Sequence, residues 1–262
     1  MEGLKVHSKI ISVERKTEKG RELFAVVGTG NFHEGTSRMY TDYFLFTGDR
    51  RITKEVAKVF LFLAEPYRLQ KYKHLLVSPH FTRKGLVRCI EREISRARMG
   101  QKAEIWMKFN SLSSYDMGQK LYEASQAGVK IKLIVRGVCC VKPGIPGLSE
   151  NIEVISVVDR FLEHNRVYAF YNGGDWSMYV ASCDLMTRNL DLRVEVAAPI
   201  YSPSIQAEIM DHLQCMWKDN MKARYSVDER PNVYRKIPGP RIRSQVELYH
   251  YVQNQLKKGG RP

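Results

Sequence analysis

Two short segments hold the residues best suited to chemistry. Val6-His7-Ser8-Lys9 comes early and Glu163-His164-Asn165-Arg166 much later, each setting a histidine two residues from a cation inside a β-favouring run. Strand side chains alternate faces, so His7 and Lys9 are expected to share one face, as are His164 and Arg166. Two such pairs turned toward each other would surround one anionic group with two imidazoles and two cations. That combination suits phosphoryl transfer. A histidine nitrogen can attack phosphorus and hold the group as a phosphoramidate. The loose transition state asks mainly for alignment and for cations on the equatorial oxygens. A second imidazole, titrating near neutrality, can protonate the leaving oxygen. His7 is thus the candidate nucleophile and His164 the candidate acid–base group. Lys9, Arg136, Arg166 and Arg188 are candidate phosphate ligands. The turn Gly28-Thr29-Gly30-Asn31 lets backbone N–H groups approach an oxyanion closely, with Asn31 as a further polar contact. Tyr40 either stacks on a base or packs in a core. His33, His74, His80, His212 and His250 lack this context and read as structural or surface residues.

The elements that must position these residues follow from periodicity. Leu4–Val13 and Glu22–Val27 read as strands of a hairpin around a polar turn at 15–20, and Met39–Phe46 as a third strand. A helix is expected over Ile52–Ala64 with Val56, Val59, Phe60 and Leu63 on its inner face. Pro66–Lys73 reads as a linker, which places a domain boundary near residue 70. Beyond it come strand Leu75–Ser78, helix Thr82–Arg98, strand Glu104–Phe109, helix Asp116–Ala127 closed by Gly128, and strand Val129–Val135. Strand, helix and strand with short connections imply a parallel pair, and ligands gather beyond the carboxyl ends of such strands. Lys108, Asn110 and Arg136 stand at those ends. The first helix also carries Arg83, Lys84, Arg88, Arg92 and Arg96, a face suited to a polyanion or simply to solvent. Val154–Val158, Arg166–Phe170, Met178–Ser182 and Val194–Ala198 read as further strands. A helix capped at Ser202-Pro203 follows, with Ile205, Ile209, Leu213 and Met216 on one face, and then a last helix over Ile242–Leu256. The tail from Lys257 onward reads as disordered. The two parts resemble each other: each has a His-x-cation strand, a hydrophobic strand ending in small residues, and then an arginine, Arg38 or Arg188.

Charge is the outlier in composition. The 262 residues include 42 Lys+Arg against 28 Asp+Glu, a formal net charge of +14, which points to a polyanionic partner such as nucleic acid, a phosphate polymer or an acidic membrane. Five cysteines without a CxxC pair argue against a disulfide framework or a zinc site and for a reduced, cytoplasmic protein. No apolar run is long enough for a transmembrane helix, and the N-terminus lacks a signal-peptide core.

The segments VHSKI, GTGNFHEGTSRMYTDY, YKHLLVSP, NSL, LYEASQAGVKIKLIVRGVCC, PGLSENI, DRFLEHNRVYAF, NGG and TRNLDLRVEVAAP resemble, in order, the C-terminal half of the long polyphosphate kinases. The resemblance runs from about residue 4 to residue 200. It implies an α/β, phospholipase D-like fold of two related mixed-sheet domains flanked by helices. Residues 1–70 would be the later part of an incomplete first domain, and residues 71–262 a second domain with a basic C-terminal helix. It implies reversible transfer of the terminal phosphate of ATP to polyphosphate, with the phosphorylated histidine at His7, the second essential histidine at His164, and nucleotide contacts at Tyr40 and Arg136. It also implies Mg2+ as cofactor, with the magnesium-associated arginines before Met1. The implied partners are ATP or ADP, polyphosphate and the region preceding this one. Self-association and a peripheral place at the inner membrane face are implied as well, with no specific nucleic acid. From the residues alone two other readings stand beside this one, a non-catalytic polyanion-binding module and a phospholipase D-like phosphodiesterase.

Overall fold

The computed structural model describes residues 4–18, 20–227, 230–257 and 259. In chain order its elements are β1 (Lys5–Val6), β2 (Lys9–Thr17), β3 (Gly20–Gly28), α1 (Glu34–Ser37), β4 (Tyr40–Thr41), β5 (Phe44–Thr47), α2 (Arg50–Ala64), β6 (Leu76–Val77), α3 (Thr82–Arg98), β7 (Glu104–Phe109), α4 (Tyr115–Gln126) and β8 (Lys130–Val135). Then follow β9 (Ile152–Val157), β10 (Leu162–Glu163), β11 (Arg166–Phe170), β12 (Ser177–Ala181), α5 (Thr187–Asp191), β13 (Arg193–Val194), β14 (Val196–Pro199), α6 (Pro203–Lys218), β15 (Ala223–Val227), β16 (Arg230–Tyr234) and α7 (Ser244–Lys257). Among the described residues, no helix is long and apolar enough to cross a membrane.

Nine strands form one mixed sheet in the order β16-β15-β9-β8-β7-β11-β12-β14-β6, and β2-β3-β5 form a second sheet. β7, β8 and β9 are parallel, as crossover connections through α4 and the following loop require. Buried both sides, β11 reads as a continuous apolar run after its first residue. One apolar cluster includes Ala25, Val27, Val56 and Val59 from the first part together with Val167, Val180 and Val196 from the second. The two parts therefore share a core.

Several expected elements differ in the structure. The strand over Leu4–Val13 is interrupted at His7 and Ser8, because both their N–H groups donate to the Val194 carbonyl at 2.9 Å. The polar turn at 15–20 is part of the hairpin, whose ladder runs out to Thr17 opposite Gly20. The third strand is two pieces, β4 and β5, split at Asp42-Tyr43. On α2 the residue turned inward is Phe62 rather than Phe60, which is 41% exposed. Val194–Ala198 is likewise split, with Glu195 at the break. The hairpin β15–β16 was not legible in the pattern. Of the tail, residues 258 and 260–262 lie outside the described residues.

The internal resemblance takes a definite form. β2-β3-β5 and β11-β12-β14 are both antiparallel triplets. Lys9 faces Gly28 as Arg166 faces Ala181, and Gly28 faces Phe44 as Ala181 faces Ala197. That register matches Thr29 with Ser182 and Asp42 with Glu195. It does not match Arg38 with Arg188. The short strands are exchanged between the halves: β1 pairs in parallel with β13, and β10 with β4.

Candidate active site

Because β1 and β10 each cross to the other half, each histidine meets a carboxylate from the half it does not belong to. His7 Nδ1 lies 2.9 Å from the Glu195 carboxylate. His164 Nδ1 lies 2.9 and 3.1 Å from the two oxygens of Asp42. A neutral imidazole whose Nδ1–H donates to a carboxylate carries its lone pair on Nε2, the nitrogen left for chemistry. Both side chains remain reachable, 25% exposed for His7 and 14% for His164.

The carboxylates are themselves held. The Ser182 hydroxyl donates to Glu195, and Asn189 Nδ2 donates to its other oxygen at 2.7 Å. The Thr29 hydroxyl donates to Asp42 at 2.6 Å while accepting the Tyr43 N–H at 3.0 Å. Gly30 makes room for Asp42: a Cβ there would lie 1.9 Å from Oδ2. Sequence reasoning missed Asp42, Glu195, Ser182 and Asn189. The matched small-residue turns, Gly28-Thr29-Gly30 and Ala181-Ser182-Cys183, were the available signal for the two hydroxyls.

Four cations close around this arrangement. Arg166 is buried and grips Asp184 through Nε at 3.1 Å and Nη2 at 3.2 Å. Its Nη1 donates to the carbonyls of Thr29 and His164 and lies 3.2 Å from His164 Nε2. Burial alone would raise the Asp184 carboxyl, but the Arg166 charge and the Asn110 N–H bonds outweigh it and hold it below the ordinary carboxylate range. Arg136 donates through Nε to Asn110 Oδ1 at 2.6 Å and to the Glu163 carbonyl at 3.1 Å. Lys9 is buried and its ammonium donates to the His7 carbonyl. Burial brings it down to about 8, against the pull of Glu195, while Arg166 lowers it and Asp42 raises it. Lys108 is fully buried between Asn165 and Glu163, so it serves the support and not the mouth of the site. His164 is depressed by burial, partly offset by its bond to Asp42 and deepened by Arg166.

The structure thus brings His7, Lys9, His164, Arg166 and Arg136 together. Tyr40 joins them, half-buried, its ring centroid 5.0 Å from that of His164. Asn31 is exposed just beyond Gly30, at the position matched by Asp184 in the second half. Arg188 is exposed on α5, whose neighbouring residue Asn189 holds Glu195. The other histidines read as structural in part: His33 caps α1 through Nδ1, His74 bonds the Tyr201 hydroxyl, and His212 bonds that of Tyr43.

A family model described as Polyphosphate kinase C-terminal domain 1 matches residues 1–69, and one for C-terminal domain 2 matches residues 75–245. Polyphosphate kinase of Vibrio parahaemolyticus is 46% identical over 255 residues, covering 96% of this chain and 36% of its own length. That of Escherichia coli K12 is 43% identical over 253 residues, covering 96% and 37%. The chain therefore spans about a third of the length of the curated relatives it matches. A crystal structure of polyphosphate kinase from Porphyromonas gingivalis superposes with a TM-score of 0.91 at 35% identity, over 98% of this chain and 40% of that one. With both C-terminal models matched in order and relatives above 40% identity across nearly all its residues, the chain belongs to the polyphosphate kinase family.

Proposed function

We propose that this chain carries the phosphoryl-transfer centre of a polyphosphate kinase, moving the terminal phosphate of ATP reversibly to polyphosphate through a phosphohistidine on His7. The observation that carries the reading is the pair of exchanged histidine–carboxylate contacts set among Lys9, Arg136 and Arg166. In the first half-reaction His7 Nε2 attacks the terminal phosphorus, the P–O bond to the bridging oxygen breaks, and ADP leaves with the electron pair. Glu195 stabilises the cationic ring so formed through Nδ1–H, as a carboxylate does for any imidazolium it orients. In the second, a terminal oxygen of the polymer attacks the same phosphorus and the P–N bond breaks. Arg166, Arg136 and Lys9 take the negative charge on the transferring group. His164 starts neutral, and phosphates entering beside it raise its proton affinity, so it takes a proton from solvent as they bind and gives that proton to the leaving oxygen as the P–O bond breaks. Tyr40 presents its ring at the His164 side, where a nucleotide base can lie against it.

Mg2+ is the cofactor this reading expects. Among the described residues, no group of three or more His, Cys, Asp and Glu side chains is placed to hold a metal, and Asp42, Asp184 and Glu195 are each engaged by other side chains. These residues do not fit a protein-bound ion. The expected magnesium would have to arrive on the phosphates of the nucleotide, and no step above runs through it.

The test is intact mass and acid stability after incubation with ATP and magnesium, or with polyphosphate. An acid-labile phosphoryl group is expected on the parent chain and not on His7→Ala. The same measurement with the preceding region of a relative supplied covers the part of the relatives this chain does not span. An acid-labile label surviving on His7→Ala would refute the mechanism.

A further inference from the structure

The cations of α3 have no part in the chemistry above, and their arrangement is not that of an ordinary solvated face. α3 runs from the catalytic end of the sheet to the opposite end. At its start Arg83 pairs with Asp191 of α5 and donates to the Ser114 hydroxyl at 2.9 Å, close to where β7 ends. At its end Arg96 meets Gln101, which precedes β7, and Asn172, which follows β11. Between them Lys84, Arg88, Arg92 and Arg96 recur every fourth residue, a stripe about 18 Å long at the rise of a helix.

Elsewhere in the described residues Arg15, Arg21, Arg38, Arg51, Arg68 and Arg243 each pair with a carboxylate, as do Arg83 and Arg98 of α3 itself. Among the described residues no carboxylate pairs with the four cations of the stripe. Two are held by neutral acceptors instead. Arg92 Nη2 lies 3.4 Å from the Ser177 hydroxyl, and Arg96 donates to Gln101 Oε1 at 3.3 Å and Asn172 Oδ1 at 3.4 Å. Neutral partners fix a guanidinium with no carboxylate in contact; the buried Glu93 carboxyl, itself raised by burial, acts on Arg96 and Arg92 only through space. Arg88, Arg92 and Arg96 line one open cavity of about 450 Å³. The one acid there, Glu91, has its carboxylate 3.5 Å from Lys120. No aromatic side chain lines the cavity, so it offers phosphates charge without offering bases a stacking surface. At the other end of the stripe, the Arg83–Asp191 pair joins α3 to α5, which also carries exposed Arg188.

We infer that this stripe is a second binding site for polyphosphate, a track along α3 that holds the polymer while its end lies at the histidines. The inference rests on the proposed function. Two contacts on one flexible polymer make the second intramolecular, so a long chain gains affinity that a short one cannot.

The test uses this chain, long-chain inorganic polyphosphate and tripolyphosphate, with Kd measured across a salt series. Arg88→Glu/Arg92→Glu is expected to weaken the long polymer at least about tenfold and to flatten the salt slope by about 1.4, at roughly 0.7 per lost cation contact on a flexible polyanion. Tripolyphosphate affinity should not change. Arg50→Glu/Lys54→Glu on α2 makes the same change in net charge away from the stripe and should cost less than about threefold. Should the reversed variant fold poorly by circular dichroism, Arg88→Gln/Arg92→Gln is expected to show the same loss in smaller measure. Unchanged long-polymer affinity in the α3 variants, or equal loss in the α2 control, overturns the track. So does an oligothymidylate of matched length that binds as tightly through the same arginines. If the parent chain fails to bind tripolyphosphate while the long polymer still depends on α3, the histidine centre is misread and the track stands.

Discussion

Lys9 and Arg166 occupy matched positions, yet they hold their charge differently. Arg166 has Asp184 beside it, whereas the position matching Asp184 in the first half is Asn31, exposed and uncharged. Burial, opposed by Glu195, therefore brings Lys9 down to about 8. Its cation is fully present below that value and lost above it. A bound phosphate raises the affinity of Lys9 for its proton, so the complex keeps the charge to higher pH than the free chain does. Above pH 8 the loss of the Lys9 charge should accordingly add a fall in tripolyphosphate affinity of up to tenfold per pH unit. Lys9→Arg, charged throughout, should remove that alkaline loss. Titration of both proteins from pH 6.5 to 9.5 decides the matter, and an identical alkaline fall in Lys9→Arg would rule Lys9 out as its source.

The short strands determine where the histidines point, and their breaks are what periodicity could not show. A ten-residue apolar pattern reads as one strand, but Val194 captures the N–H groups of His7 and Ser8 and ends β1 early. The long strands and helices were legible because the helices bury one apolar face and the central strands are apolar runs buried nearly throughout: β7, β8, β11, α3 and α6 lie within a few residues of expectation. Both histidines and the neighbouring cations were legible from local spacing. Their carboxylates were not, since Glu195 follows His7 by most of the chain and serves it only because β1 and β13 are exchanged. Gly30 shows the same dependence on tertiary context. It is needed for space and not for backbone angle, since a Cβ would stand 2.3 Å from the Asp42 Cγ. Gly30→Ala must push Asp42 away from Thr29 and His164, at a cost of about 1–3 kcal/mol. A lowered urea midpoint is expected, together with a loss of the phosphoryl transfer proposed for this centre. A variant that melts and reacts like the parent would show that the turn has slack this packing does not reveal.

At the scale of the whole molecule, two resembling halves could unfold one after the other or as a unit. Resemblance alone suggests separate units, since each half repeats the triplet, the exchanged strand and the helix behind it. The contacts argue otherwise. The first half's three-stranded sheet has few buried residues beyond Lys9 and the end of β3, and Ile11, Val13, Phe24 and Phe46 are exposed. Its core residues Ala25, Val27, Val56 and Val59 are buried within the cluster that includes Val167, Val180 and Val196. Losing the second half would expose that face, remove the strand partner of β1, and leave His7 without Glu195. A first half alone therefore buries too little apolar surface to offset the entropy of ordering it. Unfolding in urea should be a single transition, with the fluorescence of Trp106, Trp176 and Trp217, all in the second half, tracking far-UV circular dichroism. Hydrogen exchange makes the sharper comparison. Amides of β3 and of β12 should open with the same free energy and the same denaturant dependence, because one global event exposes both. If β3 opens several kcal/mol below β12, the halves are separable, and the histidine–carboxylate pairs form only by docking of parts that fold independently.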